Sequence, residues 1–218
     1  MPDPGPAPLF ARSPILIGMV HLAPLPGSPR YSGSMAQVVD RAAQDAQALA
    51  GEGCDGLLLE NFGDAPFHPD GAPPETIAAM AVVLTELRRV APATAWGVNV
   101  LRNDARGALG LAAAANASFL RINVHTGAVA TDQGLLTGRA HETLRLRAAL
   151  APGVLILADA GVKHGRPIAP LPLEEEVRDL CERGLADAVL VTGNRTGEPP
   201  RTEDLRAARA AAGSVPVL

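Results

Sequence analysis

The sequence of 218 residues is poor in cysteine and has no long apolar run. Its 2 cysteines, Cys54 and Cys181, do not form a CxxC pair, which argues against a disulfide framework and favours buried free thiols in a reducing cytoplasm. Apolar stretches stop at about eight residues, whereas a helix that spans a bilayer needs roughly 20. The sequence therefore predicts a cytoplasmic protein without a transmembrane segment.

Basic clusters and targeting signals are also missing. The net charge is -4 at pH 7 and there is no Lys/Arg-rich run, which argues against a nucleic acid partner. The first residues are rich in proline and lack the positive region and the apolar core of a signal peptide. We therefore expect residues 1–13 to be a disordered lead-in and residues 14–218 to form one domain.

Short apolar runs recur along the chain, and six of them end in a polar residue. Between the runs lie segments with helical spacing of apolar residues, such as 35–50 and 76–90. Asn103 or Asp104 is predicted to cap another helix. The polar residues that end the runs are His21, Glu60 with Asn61, Asn99, His125, Asp159 and Thr192. Strands that alternate with helices of this length predict βαβ units and a parallel sheet.

The number of runs indicates which α/β fold to expect. Seven strands can be placed, the last at residues 215–218. Their regular spacing favours a TIM (β/α)8-type barrel over a doubly wound sheet, whose sites draw on fewer strands. Active sites of such barrels lie at the carboxyl ends of the strands, so we expect the polar residues that end the runs to converge on one pocket.

The run at residues 118–125 alternates apolar and polar residues strictly. In a strand, residues two apart share a face. Arg121, Asn123 and His125 are therefore predicted to point into the barrel, while the apolar residues between them pack under the helices.

Several longer motifs carry a resemblance to a known family. They are IGMVHLAPLPGSP at 17–29, ENFGDAPF at 60–67, GVNVLRND at 97–104, RINVHTG at 121–127, TDQG at 131–134 and VKH at 162–164. Over residues 15–218 the chain resembles the BtpA/SgcQ family, which implies a ribulose-phosphate-binding type of TIM barrel. The family is named for a role in photosystem I biogenesis. Its members also occur in non-photosynthetic microbes and are often described as predicted enzymes without an assigned substrate.

The resemblance also bears on the end of the sequence. Family members continue after strand seven with a glycine-rich segment, an eighth strand and a terminal helix, whereas this sequence ends at Leu218. We therefore expect a barrel that is truncated in strand seven, and its open sheet edges would favour a homo-oligomer. The loops after strands seven and eight commonly hold a substrate phosphate, so phosphate binding should suffer more than folding.

Four of the polar strand-end residues are candidates for catalysis. Glu60 and Asp159 are interpreted as general acid/base groups, with His21 and His125 as proton carriers or orienting groups. Glu60 has a structural alternative, a buried ion pair with Arg121, and a histidine after a strand can also be structural. The same four residues are plausible metal ligands, although no HxH or HExxH spacing supports a metal, and the sequence names no other cofactor.

A second set of residues is predicted to bind a substrate. The set is Asn99, Arg102, Arg121, Asn123, Asp132, Lys163, His164 and Thr192. Arg102 either binds an anion through paired hydrogen bonds or faces solvent. Residues 126–138, with Asp132, are predicted to form a long glycine-bearing loop that acts as a lid or binds substrate. Thr192 opens the segment 192–197, which is either a loop whose amides approach an oxyanion or an ordinary turn.

Two functions from different classes fit these observations. The first is an enzyme, a hydrolase or transferase, that acts on a small phosphorylated sugar or nucleoside-like metabolite. The alternative is a non-enzymatic biogenesis factor for photosystem I or another membrane complex, associated peripherally with the membrane surface. The polar residues at six strand ends favour the enzyme, because an assembly factor does not require them.

Overall fold

The structure is a computed structural model that describes residues 9–10, 12–69, 71–193 and 197–218. The chain divides into two compact units. The first unit comprises the described residues up to Leu120 together with Leu150–Val154, and the second comprises Arg121–Ala149 together with Leu155–Leu218. Among the residues of these ranges, no helix is both long and apolar enough to cross a bilayer.

The first unit alternates strands with helices. Its elements are β1 (Ile17–His21), α1 (Met35–Gly51), β2 (Gly56–Glu60), a 3-10 turn (Phe62–Asp64), α2 (Pro74–Val90), β3 (Ala95–Asn99), α3 (Ala105–Ala115) and β4 (Phe119–Ile122), whose last two residues belong to the second unit. The strands pair in parallel in the order β1-β2-β3-β4. β2 and β3 are buried along their whole length, as expected for parallel strands that are covered on both faces.

The helices of the first unit follow from local sequence signals. The Ser34 hydroxyl caps α1, and the helix buries Val38, Ala42 and Ala46, which lie four residues apart on one face. Asp104 caps α3 by accepting a hydrogen bond of 2.8 Å from the backbone N–H three residues further on. The prediction of a helix cap at this point of the sequence is confirmed.

The predicted disordered lead-in at 1–13 lies partly outside the described residues, at 1–8 and 11. Leu9, within this segment, is buried in the first unit. The Arg12 guanidinium forms an ion pair with the Asp55 carboxylate. This pairing holds the pKa of the half-buried Asp55 carboxyl below its usual range.

The second unit combines a parallel and an antiparallel sheet. After the end of β4 it contains β5 (Ala128–Thr131), β6 (Gly134–Thr137), α4 (Ala140–Leu150), β7 (Leu155–Ala160), β8 (Gly165–Pro167), α5 (Leu173–Arg178) with a π-helical turn (Asp179–Arg183), β9 (Ala188–Val191) and α6 (Thr202–Ala211). Strands β4, β7 and β9 are neighbours in this order, and β7 and β9 are parallel. Val177, Leu180, Val189 and Ala208 belong to the apolar core of this unit.

Residues 215–218, predicted as a seventh strand, form only an isolated parallel bridge to β9 and no strand of their own. Val217 forms a parallel bridge with Val189. The backbone N–H of Val189 donates a hydrogen bond of 2.9 Å to the carbonyl of Pro216.

The interpretation of residues 126–138 as a loop without secondary structure is wrong. β5 and β6 form an antiparallel hairpin, and β8 pairs with the other edge of β5. Asp132 and Gln133 are the two turn residues, and the Thr131 hydroxyl donates to the carbonyl of Gly134 at 3.0 Å. The apolar runs on either side of this turn are too short to stand out as strands in the sequence, which is why the hairpin was not expected.

The close approach of β3 and β4 requires a glycine at position 97. Gly97 and Phe119 are partners in the register, and a Cβ at Gly97 would lie 2.1 Å from Phe119 Cε2. We expect Gly97→Ala to lower the free energy of unfolding by about 1–3 kcal/mol or more, because Phe119 is fully buried and has little room to move. Urea denaturation followed by circular dichroism measures this change.

Gly110→Ala is the matched control for the crowding at Gly97. Gly110 lies within α3, and a Cβ there would meet no described atom within 4 Å. This substitution should raise the free energy of unfolding by about 0.5–1 kcal/mol, because alanine is the better helix former. Equal stability of the two variants would contradict the packing described for β3 and β4.

Candidate functional site

Three polar side chains form a row across the carboxyl ends of the strands in the first unit. The parallel register pairs His21 of β1 with Glu60 of β2, and Glu60 with Asn99 of β3. Asn99 Nδ2 donates a hydrogen bond of 2.6 Å to Glu60 Oε2, and His21 Nε2 lies 3.7 Å from Glu60 Oε1. The structure thus brings together three of the residues that the sequence predicts for the site.

The surroundings of this row differ between its two ends. Glu60 and Asn99 are buried, with 5% and 1% exposure, whereas 45% of the His21 side chain is exposed and its ring stacks on Phe62 at 4.6 Å. Asn99 Oδ1 is buried and has no hydrogen-bond partner among the described residues. A buried carboxylate next to a solvent-accessible imidazole can exchange a proton with solvent through that imidazole.

In the second unit, the buried carboxylate of Asp159 lies near the end of β7. It accepts hydrogen bonds from Arg121 in β4 and from Asn123, which follows β4. Arg121 donates two hydrogen bonds to Asp159, from Nε to Oδ1 at 2.9 Å and from Nη2 to Oδ2 at 3.0 Å. Asn123 Nδ2 adds a third, to Oδ2 at 2.9 Å. The paired geometry fixes the orientation of the carboxylate, and the guanidinium compensates its charge in a site that is only 3% exposed.

His125 does not share the environment of Arg121 and Asn123. β4 ends at Ile122, so the predicted alternation does not extend to His125, which lies in the following loop. Its Nε2 forms a hydrogen bond of 2.8 Å with the carbonyl of Gly184, and the ring is buried. Arg121 and Asn123 share the contact with Asp159, and the predicted strand ends three residues before His125. Burial lowers the pKa of His125, and the bond to the Gly184 carbonyl opposes this effect in part.

Most of the remaining predicted substrate-binding residues lie in the second unit. Asp132 is exposed at the turn between β5 and β6, and Lys163 and His164 follow β7. The Thr192 hydroxyl lies 3.4 Å from the carbonyl of Gly161, to which it donates. Asn194–Thr196, which complete the predicted oxyanion loop, lie outside the described residues.

Arg102, in the first unit, follows Leu101, and the backbone of Leu101 is bound by Asn61. The sequence indicated no role for Asn61. Asn61 Oδ1 accepts a hydrogen bond of 2.7 Å from the N–H of Leu101, and Asn61 Nδ2 donates to the carbonyl of Leu101 at 3.2 Å. The amide side chain thus binds both polar groups of the residue before Arg102. Its position directly after Glu60, at a strand end, was the one sequence signal for this contact.

Asp64 links Asn61 to the loop that follows β1. Its Oδ2 accepts from Asn61 Nδ2 at 3.1 Å, and its Oδ1 accepts from the N–H of Leu25 at 2.8 Å. Burial raises the pKa of Asp64, and the two hydrogen bonds oppose this effect. Asn61 and Asp64 together connect the segments that follow β1, β2 and β3.

A metal centre was an open alternative for His21, Glu60, His125 and Asp159. Within the described ranges, no group of three or more His, Cys, Asp or Glu side chains is arranged to hold a metal ion. The structure brings His21 and Glu60 together in one unit and describes His125 and Asp159 in the other.

The arrangement of strands and helices is that of TIM-barrel-like α/β proteins. A crystal structure of 2,3-dimethylmalate lyase, a member of the PEP mutase/isocitrate lyase superfamily, matches with a TM-score of 0.58 and 13% identity, over 96% of this chain and 68% of that one. A mandelate racemase/muconate lactonizing enzyme from Roseiflexus sp. matches with a TM-score of 0.53 and 14% identity, over 93% and 46% of the two chains. At such identities the likeness concerns the fold alone.

Within the TIM-barrel-like α/β proteins, sequence similarity assigns this chain to one family. The profile of the BtpA family matches residues 12–218, and the chain belongs to this family. Photosystem I biogenesis protein BtpA from Synechocystis sp. is 48% identical over 203 residues, which are 93% of this chain and 70% of that protein. An uncharacterized protein from Pyrococcus furiosus is 44% identical over 209 residues, covering 96% of this chain and 78% of that protein.

Burial of a neutral His125 predicts a specific pH dependence of stability. As the pH falls below about 6.5, the unfolded chain takes up a proton at this residue while the folded chain resists it, so the free energy of unfolding decreases. His125→Gln should remove this part of the decrease, because glutamine can donate to the Gly184 carbonyl and does not titrate. Urea denaturation between about pH 5 and pH 8 measures the difference.

The control for this experiment is His141→Gln in α4. The His141 side chain is 69% exposed, so its removal should leave the pH profile of stability unchanged. Parallel profiles for the native chain and His125→Gln would contradict the buried neutral imidazole.

The contact between Arg121 and Asp159 predicts strong coupling between the two residues. Arg121→Met or Asp159→Asn should each lower the free energy of unfolding by about 3–5 kcal/mol, because each leaves a buried polar group without its partner. The double variant should lose less than the sum, with a coupling energy of about 1–3 kcal/mol. The exposed pair Glu86 and Arg89 in α2 is the control, for which about 0.5 kcal/mol or less is expected. Additive losses at Arg121 and Asp159 would rule out the coupling.

Proposed function

We propose that the protein is a cytoplasmic enzyme that acts by general acid–base chemistry on a small phosphorylated sugar or nucleoside-like metabolite. The observation that carries the proposal is the row of His21, Glu60 and Asn99 at the strand ends of the first unit. Removing a carboxylate from water costs several kcal/mol, so a buried carboxylate such as Glu60 needs a reason to be there. The row lies at the carboxyl ends of the strands, where barrel enzymes keep their reactive groups. A hydrolysis or a group transfer at the sugar is the reaction class that we favour.

Glu60 is assigned the role of the general acid/base. Its Oε2 is fixed by Asn99 at 2.6 Å, and its Oε1 is on the side of His21. A proton taken from the substrate by Glu60 can pass to His21, whose exposed ring then returns it to water. Asn99 orients the carboxylate, and its remaining amide oxygen is available as an acceptor for a substrate hydroxyl.

Asp159 is the second proposed acid/base residue, with Arg121 and Asn123 as the groups that orient it. The three hydrogen bonds that it accepts, one at Oδ1 and two at Oδ2, leave one lone-pair site at Oδ1 for a substrate N–H or O–H. His125 is proposed as an orienting residue for the loop after β4, because its ring is bound to the carbonyl of Gly184.

The anionic part of the substrate is assigned to cationic side chains outside these two clusters. Arg102, which Asn61 positions through Leu101, offers a planar guanidinium that matches the oxygens of a phosphate. Lys163 follows β7 and supplies further positive charge in the second unit, and His164 next to it is a further proposed substrate-binding residue. Thr192 and Asp132 complete the proposed substrate-binding set.

The alternative function is assembly of a membrane complex, and it rests on the name of the Synechocystis relative. Such a protein would associate with the membrane surface or with a partner chain, as a monomer or a homo-oligomer. Relatives with 44% and 42% identity occur in Pyrococcus furiosus and Methanocaldococcus jannaschii, and the family resemblance implies members in non-photosynthetic microbes. We therefore favour a chemical activity that these organisms share.

Loss of activity in Glu60→Gln is the test of the proposed function. The purified chain is incubated with a cell extract of metabolites, and consumed and formed compounds are identified by mass spectrometry. We expect turnover of a sugar phosphate or nucleoside that falls about 100-fold or more in Glu60→Gln and in Asp159→Asn. Glu86→Gln, on the exposed surface of α2, should retain full turnover.

Complementation separates the two candidate functions. A Synechocystis strain that lacks its own relative of this chain is transformed with either the native gene or the Glu60→Gln variant. The enzyme proposal expects only the native gene to restore photosystem I content. Equal restoration by Glu60→Gln would favour the assembly role over acid–base catalysis.

A further inference from the structure

The antiparallel sheet of the second unit has two outer strands. The strand order is β6-β5-β8, so β6 and β8 each have one side that no strand of the described ranges covers. Such a side presents free N–H and C=O groups, and it is a template for pairing with another chain unless a proline, a charge or a covering segment prevents this. Which of the two edges can pair depends on the residues whose backbone groups point outward.

The β8 edge is protected by a proline. Arg166 is the register partner of Ala130, and the N–H of Ile168 donates to the carbonyl of Ala128 at 2.9 Å. Because hydrogen-bonded pairs alternate along an antiparallel ladder, Arg166 and Ile168 bond to β5, and the backbone of Pro167 between them points outward. Proline has no N–H, and the adjacent Arg166 is exposed and charged, so this edge does not offer a regular ladder to another strand.

The β6 edge lacks this protection. The N–H of Gly138 donates to the carbonyl of Gly127 at 2.8 Å, in the same ladder that pairs Leu136 with β5. The alternation therefore turns the N–H and C=O groups of Leu135 and Thr137 away from β5. Both residues are exposed, and β6 itself contains neither a proline nor a charged residue. This edge is open to pairing.

The spacing of the outward groups allows β6 to pair with a second copy of itself. When two β6 strands lie antiparallel with Leu136 at the centre, Leu135 of one copy faces Thr137 of the other, and the reverse. Each of these two pairs then exchanges both of its N–H···O=C bonds across a twofold axis. The two Leu135 side chains, each 59% exposed in the single chain, become diagonal neighbours on one face of the joined sheet.

The charges at the two ends of β6 match this orientation. Asp132 precedes β6 and Arg139 follows it, and both are exposed. In an antiparallel pair the start of one strand lies beside the end of the other, so Asp132 of each copy comes near Arg139 of the other copy. Arg139 also lies 3.7 Å from Glu142 at the surface, and its several N–H donors can serve both carboxylates. A parallel pairing would place like charges side by side, which is unfavourable.

We propose that β6 is the interface of a symmetric dimer, in which two copies of this chain join their three-stranded sheets by antiparallel pairing of β6. The paired segment is short, so the interface is smaller than that of a permanent dimer, and we expect the dimer to form reversibly with concentration. The dimer does not depend on the acid–base roles proposed for Glu60 and Asp159.

The test is sedimentation velocity of the purified chain over a wide range of concentrations. We expect a monomer at low and a dimer at high concentration. Thr137→Pro removes an outward N–H from each copy and leaves the bonds between β6 and β5 in place, so it should raise the dissociation constant of the dimer about tenfold. Leu135→Lys should also weaken the dimer, because it brings two like charges together across the twofold axis.

Ile168→Lys is the matched control for Leu135→Lys. Ile168 is 60% exposed, close to the 59% of Leu135, but it lies beside β5 on the β8 side of the sheet. The dissociation constant should therefore be unchanged in this variant, and circular dichroism verifies that each variant retains the fold. Equal weakening by Ile168→Lys and Leu135→Lys would overturn the edge pairing and indicate association through the face of the sheet.

Hydrogen exchange provides a second readout at single amides. The N–H groups of Leu135 and Thr137 should exchange more slowly as the concentration rises, whereas the N–H of Gly138, which is bonded to Gly127, should be protected at every concentration. A dimer without this change at Leu135 and Thr137 would overturn the proposal. A chain that stays monomeric at all concentrations would also overturn it, and the β6 edge would then be assigned to a strand of a different protein.

Discussion

The parallel register of β1, β2 and β3 is the constraint on which the candidate site depends. Because the three strands are aligned without offset, His21, Glu60 and Asn99 lie side by side at their carboxyl ends. A shift by one residue would move each polar side chain to the other face of its strand. Gly97 helps to maintain this arrangement, since any larger residue would force β3 away from Phe119.

The two units stabilise their buried carboxylates in different ways. Glu60 accepts a hydrogen bond from a neutral amide and has an imidazole nearby, whereas Asp159 is bound by a guanidinium through paired hydrogen bonds. The amide of Asn99 fixes one oxygen of Glu60, whereas the guanidinium of Arg121 fixes both oxygens of Asp159. The second oxygen of Glu60 therefore lies on the side of the exposed His21 ring, and Asp159 is held in one orientation.

Sequence reasoning was accurate where one local pattern determines the result. The parallel strands, the cap at Asp104 and the row of Glu60 and Asn99 follow from apolar runs and the residues that end them. Prediction from the sequence failed where contacts between residues that are distant in sequence determine the local structure. The alternation through His125 predicted a longer β4, but β4 ends at Ile122, and His125 contacts the carbonyl of Gly184, 59 residues further along the chain. The hairpin at β5 and β6 was missed for a different reason, because the apolar runs on either side of its turn are too short to stand out as strands.

Asn61 shows why residue type matters at a position that does no chemistry itself. Its amide accepts from the Leu101 N–H and donates to both the Leu101 carbonyl and Asp64. An aspartate of the same shape would lose both donated bonds and would place a second carboxylate against Asp64. A buried like-charge contact of this kind is unfavourable, and the raised pKa of Asp64 indicates that one carboxyl is already costly to ionise there. The loops after β1, β2 and β3 are thus held together by a group that must both donate and accept, which only an amide side chain of this length provides.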